Sequence, residues 1–324
     1  MKHFPVCTIF VALAMVLFWT DAQAKKPQNL RLLYWNIQNG MWSGQPTDYA
    51  EFVNFVKEQN PDICVWCEAS TIYYDGTDKS RPKEERYLPA HWPELAKRYG
   101  HKYTYLGGFR DNYPQVITSR YPIEGVKALT GEGEGSDTLV CHGAGWARIN
   151  IAGQQVNIVT VHTWPQRYGY GVASDQVSRQ KSAAANEGDL YRRTEMEYIC
   201  RHTIGTEPEA ARQLWMMMGD FNSRSRVDNR QYRLKPDTTA YLVHDYVLDN
   251  TPYIDVVHHK HPGEFITSTG GKSRIDFVYL TRPLYDKVTR AEIITTDYTR
   301  PVRDKTYYFY HPSDHRPILV DFAF

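Results

Sequence analysis

Apolar residues along this chain fall into short runs, and their spacing predicts the elements. Leu30 to Ile37, LRLLYWNI, alternates with period two and reads as a strand that ends in polar QNG. In TDYAEFVNFVKEQN, Tyr49, Phe52, Val53 and Val56 recur at helical spacing behind a Thr47 or Asp48 cap, and Pro61 then forces an extended restart. DICVWCEA is the next strand, so the chain opens strand, helix, strand. Further on, HWPELAKRYG predicts a short helix, and YTYLGGF and VITSR predict strands. GWARINIAGQQVNIVTVH predicts a hairpin turning near Gly153, with its second strand running into His162. SDQVSRQKSAAANEGDLYRRTEMEYICRH reads as one or two long helices, and QLWMMMGDFN, RIDFVYL and HRPILVDFAF read as three more strands. Strands and helices mixed with hairpins predict a two-sheet α/β protein rather than a parallel doubly wound one. No internal repeat or domain boundary interrupts the pattern, so residues 25–324 read as a single domain.

The first 24 residues stand apart. Lys2 and His3 precede an apolar run from Val6 to Trp19, and Ala22-Gln23-Ala24 stands before Lys25, the layout of a secretory signal peptide cleaved near Ala24. The run falls short of the ~20 residues that a spanning helix needs, which disfavours an uncleaved anchor. The expectation is therefore a secreted or periplasmic protein. A formal net charge of +1 leaves no global footprint for a polyanion, so any basic site must be local. Cys64 and Cys67 form a C-x-x-C pair, but three residues apart on a strand they point to opposite faces, with Cα atoms roughly 10 Å apart. A disulfide cannot bridge that separation, and no second pair completes a zinc site. These cysteines read as small core residues, or as partners for Cys141 or Cys200.

Polar residues that break apolar strands hold the candidate chemistry, and each is expected at a strand's C-terminal end: Asn36, Glu68, His162, Asp220 with Asn222, Asp276, and Asp314 with His315. Strand ends on one rim are where open α/β sheets place their sites. Alone, each has an ordinary alternative: an Asx turn for Asp220 and Asn222, an exposed strand end for Glu68, a core histidine for His162, a capped loop for Asp314 and His315. Gly219 lets something approach the backbone closely. Asp276, between Ile275 and Phe277, needs a partner if it is buried, and His315 is the candidate. Taken together, the carboxylates and amides supply hard oxygen ligands suited to Mg²⁺ or Mn²⁺, and the histidines supply donors or proton carriers. That is equipment for phosphate-ester hydrolysis.

LLYWNIQNG, PDICVWCEAS, VITSRYPI, NIVTVHTW, GDFNS, RIDFVYL and SDHRPILVDF occur in the order found in the endonuclease/exonuclease/phosphatase superfamily, which the chain resembles from Leu30 to its C-terminus. The resemblance, to a secreted, bacterial-type member, implies a four-layer α/β/β/α sandwich with two central mixed β-sheets. It implies Mg²⁺ held by Glu68, assisted by Asn36 and Asp314. It further implies that Asp220 orients or deprotonates the attacking water, that Asn222 holds this water or a phosphoryl oxygen, that Asp276 fixes His315 as imidazolium, and that His162 stands near the leaving oxygen. One departure is visible: where the deoxyribonuclease I branch pairs an acid with the first catalytic histidine, this chain has Gln115 or Asn112.

Two loops bear on the substrate. SRSRVDNRQYRLK carries Arg224, Arg226, Arg230, Arg233 and Lys235, read either as a solvated face or as a basic edge gripping a phosphate beyond the scissile one. HTWPQRYGYG adds Trp164, Arg167, Tyr168 and Tyr170, which either stack on a substrate or pack the loop; Arg167, Tyr168, Arg224 and Arg226 are the expected substrate-binding residues. His258, His259 and His261 read as a solvated turn. The expected substrate is a phosphate ester in nucleic acid, phospholipid or a phosphorylated small molecule, and the protein is expected to act as a monomer without an obligate protein partner. A phosphodiesterase or nuclease leads; a phosphatase or sphingomyelinase-like enzyme is the alternative, and a non-catalytic binding protein on the same fold comes third.

Overall fold

The computed structural model describes residues 28–41, 48–72, 82, 91–111, 113–133, 136–182, 186–271, 273–295 and 313–324. The N-terminal segment read as a signal peptide and the Thr47 cap lie outside these residues. Twelve strands are described: β1 (Asn29–Asn36), β2 (Ile63–Cys67), β3 (Tyr103–Gly108), β4 (Gln115–Ser119), β5 (Ile123–Leu129), β6 (Ala144–Ile151), β7 (Gln154–His162), β8 (Leu214–Asp220), β9 (Tyr253–Asp255), β10 (Asp276–Thr281), β11 (Val288–Ile293) and β12 (Ile318–Ala323). They form two six-stranded sheets, ordered β11-β12-β1-β2-β4-β3 and β5-β6-β7-β8-β10-β9. Each sheet is mixed, with one parallel pair at its centre: β1 with β2, and β7 with β8.

Period-two alternation builds the layers. Leu30, Leu32 and Tyr34 of β1 and Ile63, Val65 and Cys67 of β2 share one buried core with Val156 and Ile158 of β7 and Leu214, Met216 and Met218 of β8. Their neighbours in sequence face outward. Leu33, Trp35, Cys64 and Trp66 pack on Phe52 and Val56 of helix Ala50–Gln59 and on Trp92 and Leu95 of helix Trp92–Arg98. Val159, Val161, Trp215 and Met217 pack on Met196 and Ile199 of helix Glu187–His202 and on Val243 and Val247 of helix Leu242–Asn250. The outcome is the four-layer α/β/β/α sandwich. Full burial of each such side chain is worth roughly 1.5–3 kcal/mol, so the inter-sheet core dominates what holds the two sheets together. Cys64 and Cys67 fall in different layers, and all four described cysteines are buried and free, so none serves as a disulfide partner.

Several local expectations change. Helix Ala50–Gln59 starts at Tyr49 without a side-chain cap, because the Asp48 carboxylate accepts from Arg98 Nη1 at 3.1 Å instead. The histidine-rich stretch is not a turn: His258 and His259 lie on helix Val256–Lys260, and His261 Nε2 sits 2.7 Å from the Ala291 carbonyl of β11. Strands β5, β9 and β11 carry no strong apolar signal and escape the sequence reading; all three are sheet edges, and β5 is largely exposed. Edge strands bury little, so selection for alternation is weak there.

Two core histidines make stability pH-dependent. His101 is buried between Thr118 and the Pro61 carbonyl, and His244 between Tyr279 and the Ser223 carbonyl. Burial lowers His101 to about 4 and His244 to about 3. The unfolded chain therefore binds more protons than the folded one from about pH 6.5 downward. The stabilisation is complete above that pH and is lost as pH falls toward the folded values. Urea midpoints should drop between pH 7 and pH 5, and His244→Gln, which cannot charge, should shrink the drop; an unchanged pH dependence in the variant would refute this assignment.

Candidate active site

Asn36, Glu68, His162 and Asp220 lie at or just past the C-terminal ends of β1, β2, β7 and β8, as the apolar patterning suggests. Asp276 and His315 do not: Asp276 opens β10, and Asp314 and His315 precede β12. They reach the same rim because β10 runs antiparallel to β8 and β12 antiparallel to β1. Across the second sheet His162 pairs with Asp220, and Asp220 with Asp276, which sets three candidate side chains in adjacent register. Gly219 permits this approach: a Cβ there would lie 1.8 Å from the Val161 carbonyl oxygen of β7.

The turns that follow the strands are strained toward the site. Gln38, Asn39, Glu68 and Asn222 all adopt positive φ, a conformation that costs a non-glycine residue on the order of 1 kcal/mol or more and that collects at functional positions. Gly40 is required, since a Cβ there would meet the Ser70 and Thr71 backbone at 2.7 Å. The tight turn brings the Asn39 N–H to Glu68 Oε2 at 2.9 Å and the Gly40 N–H to the Glu68 carbonyl at 2.6 Å.

A buried hydrogen-bond network spans the rim. Asn36 Nδ2 donates to both Glu68 Oε1 and Asp220 Oδ2, each at 3.1 Å. Asp276 accepts from Tyr34 Oη at 2.8 Å and Ser268 Oγ at 2.7 Å, and its Oδ2 lies 2.8 Å from His315 Nδ1. Burial opposes charge on His315, but Asp276 and then Asp220 outweigh it and hold the imidazole well above its ordinary range. Asp220 Oδ2 stands 3.7 Å from His315 Nε2 and 3.9 Å from His162 Nε2. Burial, and after it the Asp276 carboxylate, pushes Asp220 up to about 8. Burial also raises Glu68. Asn222 is fixed at both ends: its N–H donates to Asp220 Oδ1 at 2.8 Å and its Nδ2 to the Thr163 carbonyl at 3.0 Å. Asp314 is more open, its side chain 55% exposed and its Oδ1 3.8 Å from His315 Nε2.

His162 has an unusual setting. Burial, with His142 and His315 as neighbours, holds it well below its ordinary range, so it is neutral. Gln115 is engaged elsewhere, with Thr160 Oγ1 and the Gly143 carbonyl, and Asn112 lies outside the described residues. Glu68 Oε1 and Asp220 Oδ2 lie 3.9 Å from His162 Nε2, while Asp111, next to position 112, binds a second histidine: His142 Nδ1 is 2.7 Å from Asp111 Oδ2, and the His142 ring centroid lies 4.3 Å from that of His162. Nothing in the spacing of Asp111 and His142 signals this pair. A second missed group, Glu195, is fully buried and accepts from the backbone N–H of Cys141 at 2.8 Å and of Trp164 at 2.9 Å, bracing the loops on either side of His162. Its signal is legible in retrospect: Asp189, Arg192 and Glu195, three charged residues at helical spacing, form a buried face of helix Glu187–His202.

The expected substrate residues divide. Arg167 and Arg224 line a cavity of about 400 Å³ beside the rim, joined to a larger one of about 690 Å³ over Asp314 and His315. Arg226 turns away into a salt bridge with Asp245 at 2.6 Å, and Tyr168 packs against Trp164 and Lys181; neither lines these cavities.

Two donor groups are close enough to hold a divalent ion, Glu68 with His162 and Asp220, and Asp220 with Asp276 and His315, each set of ligand atoms lying within 4.8 Å. The first fits through Glu68, whose carboxylate oxygens suit a hard cation. In the second, Asp276 is already saturated by three partners and His315 is held as a cation, so it makes a poor ligand set.

With this geometry in place, comparison with known proteins gives the class. The chain belongs to the Endonuclease/Exonuclease/phosphatase family, which it matches over residues 33–315. It is a metal-dependent hydrolase that acts on phosphate esters. Similar solved structures include an AP endonuclease from Archaeoglobus fulgidus (TM-score 0.58, 18% identity, covering 90% of this chain and 99% of that one) and a humanized D. rerio TDP2 (0.55, 16%, 91% and 98%). A third is an endonuclease/exonuclease/phosphatase from Beutenbergia cavernae DSM 12333 (0.55, 15%, 91% and 72%). No curated protein matches the chain significantly. The expected secreted or periplasmic location is corrected by these likenesses, which are to an AP endonuclease and to TDP2. Among the described residues, no helix is long and apolar enough to cross a membrane.

Asp276→Asn keeps the side-chain shape and removes the charge that holds His315 protonated. Turnover at neutral pH should fall roughly 100-fold, comparable to loss of one preorganised charge-stabilising donor. Circular dichroism should show the fold retained, and turnover within threefold of the parent would sink the assigned coupling.

Proposed function

We propose that the protein is a phosphodiesterase that cleaves nucleic acid by in-line attack of water, with Mg²⁺ or Mn²⁺ as cofactor. The observation that carries this reading is the position of Asp220: one carboxylate faces both imidazoles and the Asn36 amide, with Asn222 fixed against its other oxygen. In its carboxylate form Asp220 can orient a water and take its proton.

Attack on phosphorus builds negative charge on the equatorial oxygens and the leaving group. His315, held as imidazolium by Asp276, donates to a phosphoryl oxygen through Nε2. The Asn222 amide uses one N–H on Thr163 and offers the other to the same phosphoryl group. Neutral His162 stands near the leaving oxygen and serves as hydrogen-bond donor rather than as a charged acid. A divalent ion would be held by Glu68 with Asn36 and Asp314 on the same rim, and would supply Lewis-acid stabilisation of the developing charge. Each of these groups supplies on the order of 3 kcal/mol of barrier reduction.

Hydrolysis of plasmid DNA, RNA, sphingomyelin, bis-p-nitrophenyl phosphate and inositol phosphates, compared with and without Mg²⁺, tests the reading. Nucleic acid and bis-p-nitrophenyl phosphate should turn over, and EDTA should abolish activity. Asp220→Ala and His315→Ala should each lose at least about 100-fold. Turnover confined to sphingomyelin or to phosphomonoesters would replace the nuclease assignment with a lipid or metabolite esterase, and full activity in either variant would remove the mechanism.

A further inference from the structure

The basic run after GDFN is not uniform. Arg226 is neutralised by Asp245, whereas Arg167 and Arg224, from loops far apart in sequence, line one cavity and make no salt bridge among the described residues. That cavity, about 400 Å³, also contains Arg192 and a single carboxylate, Asp189. Arg192 and Asp189 bind each other; Arg192 further donates to the carbonyls of Trp164 at 2.7 Å and Gln166 at 3.0 Å, and Asp189 accepts from Thr239 Oγ1 at 2.9 Å. This pair is therefore a neutral wall, its two charges offset against each other. The lining cations left without a carboxylate partner among the described residues are Arg167 and Arg224.

The walls are fixed in advance. The Gly188 N–H donates to the Arg167 carbonyl at 2.8 Å, and a Cβ on Gly188 would lie 1.8 Å from the Gln166 carbonyl, so only glycine lets the Arg167 loop sit this close. Arg224 is braced over the Tyr232 ring at 4.9 Å, and its backbone N–H donates to the Ala240 carbonyl at 3.3 Å. Two guanidinium groups without acidic partners on a pre-shaped wall match a phosphate, whose oxygens accept from planar N–H forks. The cavity adjoins the one over Asp314 and His315, and both are lined by Asn222, Ser273 and Ile275. A substrate filling both would keep one phosphate at Asp220 and His315 and reach past Asn222 with the next.

We propose that Arg167 and Arg224 form a second phosphate subsite, so that the substrate carries a further phosphate adjacent to the scissile one, as a polynucleotide or a multiply phosphorylated small molecule does. The inference rests on the phosphodiesterase reading for the substrate's other half, but its binding test does not depend on turnover. Fluorescence anisotropy with a labelled oligothymidylate, without added metal, compares the parent with Arg167→Gln, Arg224→Gln and the double variant. Each single change should weaken binding at least roughly tenfold. The salt slope of the double variant should be shallower by about 0.7, the single-strand value for one phosphate no longer neutralised.

In turnover, the double variant should lose at least tenfold more toward the oligonucleotide than toward bis-p-nitrophenyl phosphate, which has one phosphate only. Inhibition of bis-p-nitrophenyl phosphate turnover by inositol bisphosphate but not by oligothymidylate, lost in the double variant, would assign the second phosphate to a small metabolite instead of a strand. Unchanged binding and salt slope, or equal losses on both substrates, would overturn the subsite. A parent that binds the oligonucleotide through these arginines but hydrolyses nothing with Mg²⁺ would leave the subsite standing and remove the proposed reaction.

Discussion

The Asp276 carboxylate belongs to one sheet and takes hydrogen bonds from two groups of the other. Tyr34 reaches it from β1, and His315 from the segment entering β12, while Ser268 satisfies it from its own side. It is fully buried, and an unpaired carboxylate in that place would cost several kcal/mol. The sheets must therefore pack with their rims aligned, because only that alignment brings all three partners to it. Asn36 makes the second tie, from β1 to Asp220 on β8. The interactions that align the sheets thus also orient the groups that face the substrate.

That arrangement explains why two carboxylates on one rim differ in behaviour. Asp276 is saturated with donors and holds His315 charged, whereas Asp220 has the Asn222 N–H on one oxygen and an amide on the other, with two imidazoles just beyond hydrogen-bond distance. Low-dielectric surroundings and a neighbouring negative charge then favour the protonated form of Asp220. The same contrast separates the histidines: His315 has an acid on its ring, while His162 faces His142, whose own acid, Asp111, is one step removed.

Much of the fold was legible in the one-dimensional pattern because buried central strands leave little freedom. In β1, β2, β7, β8, β10 and β12 nearly every residue is buried, and the period-two division between inter-sheet and helix-facing sides is strict. Edge strands β5, β9 and β11 were not legible, since a strand covered on one side can carry almost any polar sequence. Asp276 and His315 were expected at strand ends and lie at strand starts; local patterning locates a polar break but does not give strand direction within a sheet.

By itself, the sequence determined a candidate donor set, Glu68, Asp220, Asn222, Asp276 and His315, and the apolar runs that bury the strands beside them. Only the tertiary structure decided which donors share a hydrogen, which arginines are free and which carboxylate is raised. Arg224 and Arg226 are two residues apart and look alike in the chain, yet Asp245, from helix Leu242–Asn250, neutralises one and leaves the other facing a cavity. Charge pairing depends on distances of a few ångströms between segments remote in sequence, and those distances exist only once the layers have packed.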